Sequence, residues 1–150
     1  NYPNALARDG MQRLYFLNAE ADDRAKDSRT ARITSSRLHL SCIDWNEIDD
    51  LIAVVSGSGN VLIFHADAPG EISRLRPPSG AQFRHAVWRP PTSPERVLVT
   101  VDSTSQICFW RCQQERINLW ESCAFISVPS LVLAVQWTMS GHALVCVLAS

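Results

Sequence analysis

A chain of 150 residues with 46% hydrophobic residues has the length of one ordinary domain and enough apolar side chains for a core, which excludes a mainly disordered tail. Charged residues make up 19% and the net charge is −1, so the field of the whole chain gives no reason to expect a nucleic-acid or anionic-membrane binder. The longest apolar runs, such as 131–135 and 143–149, fall far short of the roughly 20 residues that a membrane-spanning helix needs.

Few stretches repeat at helical spacing, while short apolar segments bounded by turn residues recur throughout, the pattern of an all-β chain. In chain order, the Asp9-Gly10 turn leads into a strand at 11–18, and residues 19–32 mix acidic and basic side chains as a solvated loop with room for a short helix at 20–26. Strands are expected at 40–45, 51–55, 61–65 and 72–76; the middle two flank Ser56-Gly57-Ser58-Gly59 and form a hairpin whose glycine supplies positive φ. The same arrangement returns at 84–88, 97–101 and 106–110, with Asp102-Ser103-Thr104-Ser105 as the turn and a further strand within 117–127. Between the first two of these, the proline-rich stretch 89–94 lengthens and stiffens a surface loop. Two last strands are expected at 133–137 and 143–148.

A period underlies these elements. Trp45, Trp88 and Trp137 each end a short apolar stretch, at separations of 43 and 49 residues. Tyr15, Phe64 and Trp110 each lie five residues after a turn residue (Gly10, Gly59, Ser105), at separations of 49 and 46. Two aromatic ladders in step, near the ~40–45-residue repeat of a four-stranded propeller blade, predict an all-β fold that is part of a β-propeller built from four-stranded antiparallel blades. The blades would be 1–39 (partial), 40–80, 81–130 and 131–150 (partial). That is three to four blades where closed rings use about four to eight, so an incomplete ring is expected; the start at Asn1 without a leader-like series points the same way, to a piece of a longer chain.

These features resemble WD repeats, the propeller family whose blades end one strand in tryptophan-aspartate and carry a glycine-histidine pair before the innermost strand. The resemblance is degenerate: Arg111 follows Trp110 where aspartate would stand, Phe64 and Tyr15 replace tryptophan, and Gly141-His142 falls in a turn after an innermost strand. Within that superfamily, residues 42–112 are similar to the opening repeats of aladin-type nucleoporins, through Trp88-Arg89-Pro90 and Ile107-Cys108-Phe109-Trp110. Leu119-Trp120-Glu121 is similar to a segment of the DmX/rabconnectin family of vacuolar-ATPase assembly factors. Both resemblances imply a scaffold inside a larger intracellular assembly, at the nuclear envelope or in the cytoplasm.

No motif points to catalysis. The turn Ser56-Gly57-Ser58-Gly59 lacks the Gly-x-Ser-x-Gly spacing of a nucleophile elbow and the Gly-x-Gly-x-x-Gly spacing of a phosphate cradle. Cys108 and Cys112 stand four apart on one strand and face one side, which allows a weak metal site but without a second pair; core packing or an exposed thiol is the plainer reading. The five cysteines (Cys42, Cys108, Cys112, Cys123, Cys146) are odd in number and set in apolar runs, which predicts reduced thiols in an intracellular protein. His39, His65, His85 and His142 are scattered, and a strand-end imidazole bonded to backbone is the ordinary use; Asp49-Asp50 reads as a turn cap. Arg24, Lys26, Arg29, Arg32 and Arg37 interleave with Asp22, Asp23 and Asp27 and no aromatic accompanies them, so a solvated loop is expected and not a nucleic-acid contact. The recurring tryptophans Trp45, Trp88, Trp110 and Trp137 point to packing between blades before interface anchoring.

The sequence therefore predicts a non-catalytic protein-interaction scaffold with no cofactor and no metal. It would bind other proteins of a multi-subunit complex, with no direct nucleic-acid contact and no membrane insertion, through loops at one rim: Ser58, Asn60, Arg76, Gln82, Asp102 and Ser103. Two alternatives stay open, a propeller-based enzyme whose site lies in other blades and an independent β-sandwich.

Overall fold

A computed structural model describes residues 43–77, 80–91, 95–113 and 116–150. The strand expected at 11–18, the loop at 19–32 with its basic residues, and Cys42 lie outside these. Among the described residues, ten strands form three antiparallel sheets and there is no helix, hence none long and apolar enough to cross a membrane. The first sheet is β1 (Ile43–Asn46), β2 (Leu51–Val55), β3 (Val61–His65) and β4 (Ile72–Leu75), hydrogen-bonded in that order. The second is β5 (Phe83–Trp88), β6 (Val97–Asp102), β7 (Gln106–Gln113) and β8 (Arg116–Ser127), again in order. The third pairs β9 (Val132–Trp137) with β10 (Leu144–Leu148).

Each strand forms where the sequence alternates or runs apolar between turn residues, and burial explains which pattern appears. β6 has all six residues buried, including Thr100 and Asp102, because both of its faces are covered. On one face, Trp88, Leu98, Trp110, Ala86 and Cys108 meet Leu51, Ala53, Val61 and Ile63 of the first sheet. On the other, Val87, Val99, Val101 and Ile107 meet Val132 and Val135 of the third, with Phe109, Trp137 and Leu144 packed around them. Side chains two apart on a strand share a face, so neighbouring residues of β6 serve two different cores.

The sheets stack in matching order. β5 lies against β1 and β2 on one side and β9 on the other, while the outermost strands β4 and β8 touch. First strand therefore sits over first strand, and last over last. Aromatic pairs fill the layer between the first two sheets, with Phe83 edge-on to Trp110 at 6.3 Å and Trp88 tilted against Trp120 at 5.6 Å.

Some strand ends are adjusted. The outermost strand of the first sheet ends at Leu75 and not at residue 76, since Pro77 follows and cannot donate to a ladder. Trp45 lies opposite Ile52, on the face of β1 turned away from the second sheet, so it takes no part in the layer between the first two sheets; it is 54% exposed and donates its indole N–H to Asp50 Oδ1 at 3.2 Å. Trp88 and Trp110 are buried as expected.

Candidate interaction face

In a sheet whose strands follow one another in order, the turn between second and third strands and the link to the next sheet leave at the same end. Five of the six residues expected to contact partners belong to these segments, and Asp102, the last residue of β6, joins them at that end. Ser58 and Asn60 sit in the β2–β3 turn, Arg76 and Gln82 in the link before β5, Asp102 at the end of β6 and Ser103 in the β6–β7 turn.

The first turn closes on itself through Ser56, whose N–H donates to the Asn60 carbonyl at 2.8 Å and whose hydroxyl accepts from the Asn60 N–H at 3.2 Å. Asn60 Nδ2 donates to the Ser58 hydroxyl at 3.0 Å. Gly59 adopts φ +77, and a Cβ there would stand 2.5 Å from Cβ of Gln82, so the turn and the link approach as closely as they do only because this residue is glycine. The approach is used: the Phe83 N–H donates to the Gly59 carbonyl at 2.8 Å.

The second turn is organised by a carboxylate. Asp102 Oδ1 accepts from the Thr104 N–H at 2.8 Å, the Thr104 hydroxyl at 2.7 Å and the Gln106 N–H at 3.0 Å, while Ser105 takes φ 64. The Ser103 N–H donates to the Gln82 carbonyl at 2.7 Å, and the Gln82 N–H donates to the Ser103 hydroxyl at 3.3 Å. Ser105 continues the chain, its carbonyl accepting from Val128 N–H and its hydroxyl from Val132 N–H. Turn, link, turn and link are thus bonded into one rigid polar rim. Ser58, Arg76 and Gln82 are exposed on it, with Asn60 and Ser103 half-buried. Asp102 is 2% exposed and committed to its own turn, so it holds the rim together and offers little surface to a partner.

The opposite end carries residues that local sequence patterns did not single out. Asp44 Oδ2 accepts from the Trp88 N–H at 2.6 Å and the Asp44 carbonyl accepts from the Trp88 indole at 3.2 Å, tying β1 to β5. Burial pushes the Asp44 carboxyl above its ordinary value, against the pull of backbone N–H bonds from Trp88 and Trp45. Arg96 reaches Asp49 Oδ1 at 2.7 Å, which holds the Asp49 carboxyl below the usual range. Asp49 also accepts from Asn46 Nδ2, while Asn46 Oδ1 takes the N–H of Ile48 and Asp49, so Asp49 both supports the expected turn and bridges two sheets. Arg89 Nε donates to the Gly141 carbonyl at 2.8 Å with its guanidinium 5.6 Å from the Trp137 ring centre, joining the second sheet to the third.

Cys108 and Cys112 are both buried, and burial pushes the Cys108 thiol up to about 12 and the Cys112 thiol upward as well, which keeps both as packing groups. Among the described residues no group of three or more His, Cys, Asp or Glu side chains could hold a metal ion. His85, third in β5, is buried with Nε2 at 3.3 Å from the Val132 carbonyl, an imidazole used on backbone. No family model, no curated protein and no solved structure matches this chain.

Proposed function

We propose that the chain is a non-catalytic protein-interaction scaffold, a segment of a WD-repeat-type β-propeller serving as a subunit of a larger intracellular assembly, of the nuclear-pore or vacuolar-ATPase-assembly kind. The observation that carries this reading is the stacking of two in-order four-stranded antiparallel sheets, first strand on first and last on last, with a third sheet begun in the same way. A middle sheet buried on both faces favours a stacked series over a two-sheet sandwich, in which each sheet has one core face. Within the second sheet the Trp110 indole N–H donates to the Thr100 hydroxyl at 2.8 Å on the neighbouring strand.

The mechanism is rigid display. Backbone bonds between turns and links fix the rim before any partner arrives, so binding costs little ordering of the loops. Partners would be other proteins that read the exposed Ser58, Arg76 and Gln82 with the half-buried Asn60 and Ser103. The test is affinity capture with the protein and with a variant carrying alanine at these five positions. Loss of specific partners from a variant that circular dichroism shows to be folded is the expected result, and an unchanged partner set overturns the assignment of the face.

A further inference from the structure

The net charge of −1 hides a separation of charge between the two ends of the sheets. Because the strands of each sheet follow one another in order, the β1–β2, β3–β4 and β5–β6 connections leave at the end opposite the rim. These connections carry Glu47, Asp49, Asp50, Asp67, Glu71 and Glu95. Their described cations are Arg89 and Arg96, the first committed to the Gly141 carbonyl and the second to Asp49.

At the rim the balance is reversed. Among the described residues its charged side chains are Arg76, Arg84 and Asp102, and the Asp102 carboxylate is buried and spent on its own turn. Both arginines are exposed, and neither has an ion pair among the described residues. Backbone fixes where each stands. Arg76 follows the buried Leu75 and precedes Pro77, whose carbonyl accepts from the Gly80 N–H at 3.3 Å. Arg84 lies between two buried residues that serve opposite faces: Phe83 packs in the layer with the first sheet, and His85 reaches Val132 of the third. The register shift between them makes Arg84 the extra residue of a bulge and turns it out of both cores, two positions after Gln82.

We propose that the rim takes an acidic peptide segment of a partner protein, whose aspartate and glutamate carboxylates pair with the Arg76 and Arg84 guanidiniums at the two ends of the link between β4 and β5. This rests on the reading of the rim as the partner-binding face and names what that face binds. A guanidinium presents a planar fork of N–H donors that matches the two oxygens of a carboxylate, and such charge-assisted pairs are among the stronger hydrogen bonds a side chain makes. An acidic segment is repelled at the far end and attracted at the rim, so the charge separation sets which end it approaches. Two guanidiniums suit a short acidic peptide, whereas a nucleic acid draws its affinity from many more neutralised phosphates, about 6–10 for a typical protein.

The experiment is a titration of the full, isotope-labelled chain with a hexaglutamate peptide at low ionic strength, read by NMR at backbone amides and arginine Nε–H groups. Saturable shifts at Arg76, Gln82, Arg84 and Ser103 are expected, with none at Glu47 or Glu71; they fade as salt is added and do not arise with hexaglutamine. Arg76→Gln with Arg84→Gln should weaken binding about tenfold or more in a chain that circular dichroism shows to be folded. Rim signals that do not move, shifts indifferent to salt or to the two substitutions, or tighter binding of oligothymidylate at the same amides, the mark of a nucleic-acid surface, each overturns the proposal. The reading it rests on has a separate arm: partner capture with alanine at Ser58, Asn60, Gln82 and Ser103 and both arginines kept. Partners lost there but kept by the Arg76→Gln, Arg84→Gln variant leave the face in place and overturn its acidic occupant, while partners kept by the alanine variant overturn the face itself.

Discussion

At Gly59 one hydrogen atom decides whether two loops can touch. A side chain there would meet Gln82 at 2.5 Å and, with φ at +77, would also hold a conformation that L residues adopt at a cost of about 1–2 kcal/mol. Gly59→Ala is therefore expected to lower stability by about 2 kcal/mol or more, whereas Gly57→Ala, whose Cβ meets nothing within 4 Å, should stay within about 1 kcal/mol of the parent. Urea unfolding at constant m-value distinguishes the two. Asp44 and Asp49 supply a second residue-scale prediction, because pH moves them oppositely. Asp44 is raised by burial, so the folded chain holds its proton more tightly than the unfolded chain; that contribution is full in acid and lost as pH rises through the raised value. Asp49 is lowered by the Arg96 bond, so its contribution is full above the ordinary aspartate range and lost as pH falls through the lowered value. Asp49→Asn should cost up to about 1 kcal/mol at neutral pH and progressively less as the pH falls through the lowered value. Asp44→Asn keeps an acceptor for the Trp88 N–H and should cost nothing at neutral pH, then fall behind the parent as the pH drops. Unfolding of both variants across that range gives the two signs.

Strands were legible where a strand's own residues determine it. The alternation and turn signals placed β2 and β3 to the residue and β7 from its first residue, and the aromatic period grouped them into fours. What the strand does to its neighbours was less legible. β8 has a register shift where Phe109 faces Ala124 but Trp110 faces Ser122, and nothing in residues 117–127 distinguishes a strand with that bulge from one without it. Trp45 ends an apolar stretch as Trp88 does, but which face of β1 it occupies depends on a register set by Leu51 and Ile52. The Asp44–Trp88 and Asp49–Arg96 bonds join residues more than forty positions apart, and local spacing carries no trace of them. That the loops of Ser58, Gln82 and Ser103 share one end is legible because strand order alone places them together. Within one element, the Trp110–Thr100 bond is testable, since Thr100 is fully buried and Trp110 is 8% exposed. Thr100→Val should cost about 1–3 kcal/mol by leaving the indole N–H unpaired. Added to Trp110→Phe, it should cost less than the sum of the two by about 1 kcal/mol, the coupling that a double-mutant cycle in urea would report.

The whole molecule depends on the second sheet, because both cores use it. Leu98 and Trp110 belong to the layer shared with the first sheet, Val99 and Ile107 to the layer shared with the third, and these residues alternate along the same two strands. A change in one core must therefore be felt in the other if β6 and β7 unfold as a unit. Leu98→Ala removes a fully buried side chain from the first layer only, at an expected cost of about 2–5 kcal/mol. Native-state hydrogen exchange then separates two architectures. If the three sheets form one cooperative stack, the slowest amides of β9, which never touch Leu98, lose the same free energy of protection as those of β2 and β6. If the sheets are separable layers, β9 keeps its protection while the first two sheets lose theirs. We expect the first outcome, because β5 is wedged between β1 and β9 and its Val87 and Trp88 serve opposite cores at adjacent positions. A strand that supports both layers through neighbouring residues cannot release one side chain row and hold the other.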